Sequence, residues 1–199
     1  MKLNREGRIY TIFFTFVVSF IFVFLLSAVN SLTAEKSRNN QELFKIKALL
    51  NAFGIPFSSN GDAFEKFSKF VQRSQLFDME LYRAVLNGEE MYGYIFQGNG
   101  LWGPIVGVIA VDSKVSKILG IDFISQSETP GLGARIEEAW FKEQFRGKNV
   151  QHGLVVTKAR TGAENEVDAI TGATSTSKAV ERIVNDALNS LKKTLGVKP

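Results

Sequence analysis

A short stretch near the C-terminal end of the chain combines groups that could hold a phosphate. It reads Asp168-Ala169-Ile170-Thr171-Gly172-Ala173-Thr174-Ser175-Thr176, directly before a helical segment. Glycine lets a backbone approach a ligand closely, and the free amide groups of a helix N-terminus attract anions. We expect Ser175, Thr176 or Ser177 to cap the helix, because each offers a side-chain oxygen to the first-turn amides. The stretch indicates a phosphate site, while composition alone is more often that of an ordinary capped loop.

The segment behind this stretch has helical periodicity. Its apolar residues recur at spacings of three and four: Ala179, Val180, Ile183, Val184, Ala187, Leu188, Leu191 and Leu195. The pattern predicts a helix with one buried face and a solvated basic face.

A second block, Ser127-Glu128-Thr129-Pro130-Gly131-Leu132-Gly133, has the composition of a loop. Proline fixes φ, and the glycines permit positive φ on either side of Leu132. By composition it is an ordinary turn between a strand and a helix.

Together the two blocks resemble the signatures of the FMN-binding domain of Rnf-type and Nqr-type electron-transport complexes. The C-terminal stretch is similar to that family's flavinylation motif, Asp-x-x-Ser/Thr-Gly-Ala-Thr, and the 127–133 block to its second signature. The resemblance extends from the N-terminal apolar segment to the last helix. It implies covalent FMN, held by a phosphoester bond to the side-chain oxygen of Thr174.

The resemblance also implies the rest of a cofactor site. Amides of the motif would approach the phosphate, Lys178 would neutralise it, and Asp168 would serve recognition by a flavin transferase or cap the turn. The second block would lie against the flavin ring, near a glycine-rich turn that holds Trp102. The implied residues are Thr174, Thr171, Gly172, Ala173, Asp168, Ser175, Lys178, Glu128, Thr129, Gly131, Leu132, Gly133 and Trp102. No catalytic residue and no metal ligand is expected.

The function that follows is electron transfer through FMN, which takes one or two electrons. The leading hypothesis is the flavin-carrying subunit of an Rnf-type ferredoxin:NAD oxidoreductase coupled to sodium or proton translocation. The alternative is the equivalent flavin-carrying subunit of an Nqr-type sodium-translocating NADH:quinone reductase. A second alternative is a membrane-tethered binding module without a redox role. Expected partners are membrane and iron–sulfur subunits and a flavin transferase.

An apolar segment near the N-terminus predicts a membrane anchor. No charged residue occurs from Ile9 to Ala34, and a bilayer core needs about 20 apolar residues. A signal peptide has a shorter apolar region. Lys2, Arg5 and Arg8 precede the segment, which favours a cytoplasmic N-terminus in a bacterial cytoplasmic membrane. The flavin domain would then be extracytoplasmic, and the uncharged span supplies no ion path.

Composition excludes several kinds of site. The chain has 199 residues and no cysteine, so it forms no disulfide and ligates no iron–sulfur cluster through thiolates. Its single histidine, His152, excludes a histidine-rich metal site. The net charge of +4 is spread along the chain, which does not match a nucleic-acid-binding surface.

The pattern along the chain predicts an α+β fold with an antiparallel sheet and packed helices. We expect a cytoplasmic N-terminus (1–8), a transmembrane helix (9–34), a helical stalk (35–60) and the flavin domain (61–199). A short helix capped by Asp62 would carry Phe64, Phe67 and Val71. Strands are predicted at 81–86, 91–96, 105–111, 117–123 and 154–158, with a short helix at 136–145.

One motif in the sheet region is misleading. Gly98-x-Gly100-x-x-Gly103 matches the dinucleotide-binding fingerprint, and Asp122 lies at a suitable distance for a ribose-binding acid. That fingerprint requires a helix after the last glycine, whereas residues 104–111 have the pattern of a strand. We therefore predict a hairpin turn here and no nicotinamide site.

Overall fold

Helix α1 spans Arg8–Phe53 in the computed structural model, which describes residues 7–197. An 18-residue stretch of it has a mean hydropathy of 2.8. By length and composition, α1 can cross a membrane. The predicted cytoplasmic N-terminus (1–8), including Lys2 and Arg5, lies mostly outside the described residues.

Helix α1 ends before Gly54, which lies two residues before Pro56. Gly54 has a φ of 74°. Its N–H donates to Asn51 O at 3.0 Å, and Ile55 N–H donates to Leu50 O at 2.8 Å. This pair of bonds is the Schellman arrangement, which satisfies carbonyl groups left free at a helix end.

The chain divides into two units, one up to Glu42 and one from Leu43 onward. The last turns of α1 carry apolar side chains that belong to the core of the second unit: Ile46, Leu49, Leu50 and Phe53. The predicted bounds of the stalk (35–60) and of the flavin domain (61–199) stay predictions.

A five-stranded antiparallel sheet forms the centre of the second unit, and it confirms the predicted α+β class. The strands lie in sequence order: β1 Val71–Leu76, β2 Met79–Leu86, β3 Glu89–Asn99, β4 Pro104–Asp112 and β5 Ile118–Ser125. A turn at Asn87-Gly88 joins β2 to β3, between the predicted strands at 81–86 and 91–96, with Leu86 opposite Glu89. Both turn residues have positive φ, as a type I′ turn requires.

The structure corrects the prediction for the segment before β2. Helix α2 spans Asn60–Phe70, and its N-cap is Ser59, whose hydroxyl accepts from Asp62 N–H. Asp62 therefore does not cap the helix, and its carboxylate instead accepts from Ser58 N–H at 2.7 Å. Val71 starts strand β1 and does not continue the helix. Only Val71 is buried in this edge strand, so the strand lacks the apolar alternation that would have revealed it.

Apolar side chains are buried on both faces of the sheet. Alternate residues of β4 face opposite sides, with Ile109 and Val111 in one cluster and Val108 and Ala110 in the other. The first cluster is covered by helix α4, Thr174–Thr194, and the second by α2 and the end of α1. The periodicity predicted for α4 is confirmed, since seven of the eight apolar residues are buried and Leu195 is partly buried.

Short elements connect β5 to α4. The predicted helix at 136–145 is divided into a 3₁₀-helix, Gly133–Glu137, and helix α3, Ala139–Glu143. The predicted strand at 154–158 is β6, Val155–Thr157, and it pairs in parallel with β7, Glu166–Asp168, which we did not predict. Strand β7 leads directly into the residues of the predicted phosphate site.

Replacement of Gly120 by alanine tests the packing of α1 against the sheet. A Cβ atom on Gly120 would lie 2.4 Å from the carbonyl oxygen of Ala52, a backbone atom that cannot rotate away. We expect Gly120→Ala to lower the free energy of unfolding by about 1–3 kcal/mol, the usual effect of overpacking. Thermal unfolding of the detergent-solubilised chain, followed by tryptophan fluorescence, measures it.

The matched control is Gly61→Ala in helix α2, where the nearest atom to a new Cβ is Ser59 Oγ at 4.0 Å. We expect that variant to be as stable as the parent or slightly more stable, because alanine has the higher helix propensity. Equal stability of both variants would contradict this packing.

Candidate functional site

Helix α4 begins without a side-chain cap. Its first residue is Thr174, and the N-cap residue Ala173 makes no side-chain capping bond. The prediction that Ser175, Thr176 or Ser177 caps the helix is therefore wrong, since these residues lie inside its first turn. The amide groups of that turn have no intrahelical partners, and the helix dipole adds positive potential. This helix end is suited to an anionic group.

The residues before α4 form a tight turn. Ala173 N–H donates to Ile170 O at 3.0 Å, and Gly172 has a φ of 80°. Positive φ at the third residue is typical of a type II turn, where glycine is favoured. The buried hydroxyl of Ser177 accepts from Ile170 N–H at 3.0 Å and donates to Ala173 O at 2.9 Å. Ser177 thus fixes both ends of the turn.

The hydroxyl groups of this region fall into two classes. Thr176 and Ser177 are buried, and both hydroxyls are hydrogen-bonded. Thr171, Thr174 and Ser175 are exposed, and their hydroxyls have no hydrogen-bond partner within residues 7–197. Three oxygens are therefore free to react or to bind, and Thr174 is the one on the first residue of the helix.

The loop at 127–133 approaches the same turn. Leu132 N–H donates to Thr129 O at 3.1 Å around Pro130 and Gly131, whose φ of 74° again fits a type II turn. Leu132 then packs on the motif, because a Cβ atom on Gly172 would lie 3.0 Å from Leu132 Cδ2. The structure thus brings the two predicted blocks together.

Glu128 joins this loop to two other segments. Its Oε1 accepts from Leu101 N–H at 2.9 Å and from Trp102 N–H at 3.0 Å, in the turn between β3 and β4. Its Oε2 accepts from the Thr176 hydroxyl in the first turn of α4. The sequence predicted Glu128 near a flavin ring, but the structure shows it bonded to the protein. Thr176 was considered only as a cap, and no sequence pattern indicates its bond to Glu128.

Two glycines make room for this carboxylate. A Cβ atom on Gly100 would lie 2.4 Å from Glu128 Oε1. A Cβ atom on Gly133 would lie 2.5 Å from Thr176 Oγ1 and 2.9 Å from Glu128 Oε2. Gly133 is therefore required for close packing, and not for positive φ as the sequence suggested.

Burial makes these hydrogen bonds important. Glu128 is 4% exposed, and it forms no ion pair within the described part of the chain. A buried carboxylate is strongly destabilising unless donors replace its water. Hydrogen bonds to a charged group contribute about 1.5–3 kcal/mol each. The three donors thus offset the burial, and loss of the Thr176 hydroxyl would leave Oε2 without its donor.

Two predicted charged residues have protein partners. The carboxylate of Asp168 pairs with Arg160 Nε at 2.8 Å, and its N–H donates to Gln144 Oε1 at 2.8 Å. Lys178 Nζ pairs with Glu181 at 2.8 Å. Sequence reasoning missed Arg160, which lies in a loop without a recognisable pattern. The roles predicted for Asp168 and Lys178 stay predictions.

The predicted hairpin at 98–103 is confirmed, because Asn99 lies opposite Pro104 and Gly100 N–H donates to Gly103 O at 2.8 Å. Three apolar side chains near its tip and on the neighbouring loop are exposed: Leu101 at 55%, Trp102 at 70% and Leu132 at 43%. The region thus offers a positive helix end, free hydroxyls and exposed apolar side chains. These features fit a nucleotide cofactor with an anionic phosphate and a flat, apolar ring, as FMN has.

Comparison with known families decides the cofactor. Residues 100–189 match the family model of the FMN-binding domain, and this range contains all three segments joined by Glu128. The matched residues make up just under half of the chain, and they are similar to an FMN-binding domain. The cofactor that this match indicates is FMN.

Two relatives represent the proteins that this chain is similar to. It is 38% identical over 106 residues to the C subunit of the Na⁺-translocating NADH-quinone reductase of Vibrio anguillarum, which covers 49% of this chain and 42% of the relative. It is 41% identical over 111 residues to the G subunit of the Na⁺-translocating ferredoxin:NAD⁺ oxidoreductase complex of Acetobacterium woodii, covering 54% of this chain and 52% of the relative. The chain thus matches only about half the length of these relatives.

Solved structures confirm the fold. The C subunit of the Na⁺-translocating NADH-quinone reductase from Parabacteroides distasonis superimposes with a TM-score of 0.71 at 27% identity, over 82% of this chain and 98% of that one. Shewanella oneidensis NqrC gives 0.67 at 19% identity, over 83% of this chain and all of that one. At the second identity the likeness concerns the fold alone.

A buried carboxylate also orders the loop that precedes the motif. Glu166, the first residue of β7, accepts from the Thr161 hydroxyl at 2.8 Å, from Thr161 N–H at 2.6 Å and from Gly162 N–H at 3.2 Å. The hydrogen bond from the Thr161 side chain lowers the pKa of Glu166 most, and the amide bonds lower it further, against the opposing effect of burial.

This pKa shift predicts acid opening of the loop. Because the folded-state pKa lies below the unfolded-state value, the contribution of Glu166 to stability is complete above the ordinary glutamate range. It is lost as the pH falls through the lowered value. We expect the protection factors of the Thr161 and Gly162 amides, measured by NMR hydrogen exchange, to fall there. In Glu166→Gln this pH dependence should disappear, and its persistence would contradict the assignment.

Proposed function

We propose that this chain is the electron-carrying flavoprotein subunit of a membrane-bound oxidoreductase complex, with FMN attached covalently to Thr174. One observation carries the proposal: Thr174 presents a free, exposed hydroxyl on the first residue of an uncapped helix. The nearby Thr176 and Ser177 hydroxyls are committed to internal bonds. The motif that places the flavin on Thr174, rather than on Thr171 or Ser175, comes from the family resemblance.

Attachment forms a phosphoester bond and breaks a pyrophosphate bond of the flavin donor. The Thr174 oxygen forms a bond to the flavin phosphorus and loses its proton, while a leaving group departs from that phosphorus. Joining a free phosphate to a hydroxyl would release water and is unfavourable in water. The donor is therefore a flavin whose phosphate is activated by a pyrophosphate bond, and a separate flavin transferase catalyses the exchange.

Bound FMN supplies one- and two-electron redox chemistry. The chain itself binds and orients the cofactor. First-turn amides of α4 stabilise the anionic phosphate, and Gly172 lets the backbone come close to it. Leu132 and Trp102 offer apolar surface for the ring and exclude water from it. Lys178 lies four residues after Thr174 and could leave its ion pair with Glu181 to pair with the phosphate.

Two complexes are candidates for the whole assembly. The similarity to the G subunit of the A. woodii complex covers 52% of that relative, against 42% for the C subunit of the V. anguillarum enzyme. The identities are nearly equal, 41% and 38%, so an Rnf-type ferredoxin:NAD oxidoreductase is kept as the leading proposal and an Nqr-type NADH:quinone reductase as the alternative. Its partners would be membrane and iron–sulfur subunits, because the chain has no cysteine to ligate a cluster. Co-purification followed by assays with ferredoxin, NADH and quinone distinguishes the two.

The proposed location is the bacterial cytoplasmic membrane. Helix α1 anchors the chain, and cations before the span favour a cytoplasmic N-terminus and an extracytoplasmic flavin domain. Covalent attachment suits that side, because FMN lost there could not be replaced from the cytoplasm.

Substitution of single hydroxyl residues tests the attachment site. When the chain is produced together with its flavin transferase, we expect Thr174→Ala to abolish covalent flavin, whereas Thr171→Ala and Ser175→Ala retain it. The reason is that only Thr174 supplies the oxygen that bonds to phosphorus. In-gel flavin fluorescence after denaturation, together with intact mass, measures the attached FMN.

Thr174→Ser provides a matched control, since it keeps a hydroxyl at the same position and should retain some flavin. Loss of flavin in Thr171→Ala but not in Thr174→Ala would show that the flavin is attached to Thr171 and would contradict the proposal. Parent protein without covalent flavin would favour the alternative of a membrane-tethered binding module.

A further inference from the structure

We infer that Glu128 is a positioning residue, which holds the Leu101-Trp102 turn against the first turn of α4 and so shapes the flavin site without contacting the flavin. The functional consequence rests on the proposed attachment at Thr174. The positioning itself is a property of the polypeptide.

The bonding pattern excludes a direct role in binding the phosphate. Both oxygens of Glu128 accept hydrogen bonds from protein donors, and the residue is almost completely buried. A carboxylate accepts hydrogen bonds but donates none, so it repels a phosphate. Its bonds fix other residues in place.

The arrangement is a three-way junction. Leu101 and Trp102 lie at the tip of the β3–β4 hairpin, and Thr176 lies in α4, two residues after the proposed attachment point. A single carboxylate group separates the Trp102 amide from the Thr176 hydroxyl. The Trp102 side chain is 70% exposed, so neighbouring side chains do little to fix it. The backbone bond to Glu128 therefore fixes the tip of this turn, in addition to the contacts that Gly98 and Asn99 make with α4.

The surrounding glycines independently support a position built for this side chain. Gly100 lies next to Oε1 of Glu128 and Gly133 lies next to Oε2. A Cβ atom on either glycine would come within 3 Å of the carboxylate. Two chain segments thus leave room for a carboxylate of this length. Aspartate is one methylene shorter, so it would not bond to both segments at once.

Three substitutions separate position from charge. Glutamine has the same length, its oxygen can accept from Leu101 and Trp102, and its amide can donate to the Thr176 hydroxyl. Aspartate keeps the charge but has a shorter side chain, and alanine has neither the charge nor the length. A positioning role therefore predicts that Glu128→Gln resembles the parent, whereas Glu128→Asp and Glu128→Ala do not.

The first readout needs no flavin. The chain has two tryptophans, Trp102 and Trp140, so a Trp140→Phe background reports on Trp102 alone. In the full-length chain without flavin, we expect faster fluorescence depolarisation of Trp102 in the alanine and aspartate variants and parental values in the glutamine variant. Thr174→Ala should leave this signal unchanged, so a failure of the attachment proposal would not affect the result.

The second readout uses flavin-loaded protein. Quenching of Trp102 by the flavin and the visible circular dichroism of the flavin should weaken in Glu128→Ala and Glu128→Asp and return in Glu128→Gln. If Glu128→Asp resembles the parent while Glu128→Gln differs, Glu128 acts through its charge and the inference is overturned. Parental Trp102 mobility in all three variants would overturn it as well.

A variant pair at Thr176 covers the case in which Glu128→Ala does not fold. Thr176→Ser keeps the hydroxyl donor and should match the parent in Trp102 mobility. Thr176→Val has almost the same volume but no donor, and we expect it to increase that mobility. Equal mobility in the two Thr176 variants would contradict the junction.

Discussion

The hydrogen bonds of one buried carboxylate connect the segments from which the flavin site is built. Glu128 bonds to residues 26, 27 and 48 positions away in the sequence. These contacts join three segments that the sheet and α4 bring together, so they depend on long-range packing. The site is therefore a product of the complete fold and not of one local motif.

Sheet geometry explains why these segments meet. Strands β3 and β4 end at the hairpin of residues 100–103, and β5 ends beside that hairpin, with Ser125 opposite Val106. Helix α4 crosses the same end: a Cβ atom on Gly98 would lie 2.4 Å from Ile183, and Arg182 donates to Asn99 O at 2.8 Å. The hairpin, the exit of β5 and the start of α4 thus share one edge of the domain, where the helix presents its unpaired amides.

Sequence patterns predicted most of the framework. The periodicity of α4, four of the five strands and the turns at Gly88 and Gly131 were predictable because each depends on local residue type. Strand β1 was not, since it is an edge strand with one buried residue. Strand β7 was missed because it has only three residues, and the 3₁₀ break before α3 carried no proline or glycine signal after Gly133.

The sequence identified both blocks of the candidate site but not the hydrogen bonds that their residues form, and the roles of these residues toward FMN stay predictions. The resemblance identified both blocks, and the structure brings them together through Leu132 and Gly172. The resemblance did not reveal that Glu128 is hydrogen-bonded within the protein, because those bonds depend on Thr176 and on the space left by Gly100. The resemblance also did not reveal the partner of Asp168, because Arg160 lies in an irregular loop, whereas the Lys178–Glu181 pair has the i,i+3 spacing of neighbours on a helix.

Peptide mapping of the parent protein, produced together with its flavin transferase, tests the central claim most directly. After proteolysis, tandem mass spectrometry assigns the flavin phosphate to a single side chain within residues 168–178. The account predicts one FMN on Thr174 and unmodified Thr171 and Ser175. FMN on either of those residues, or a bare peptide, would contradict it.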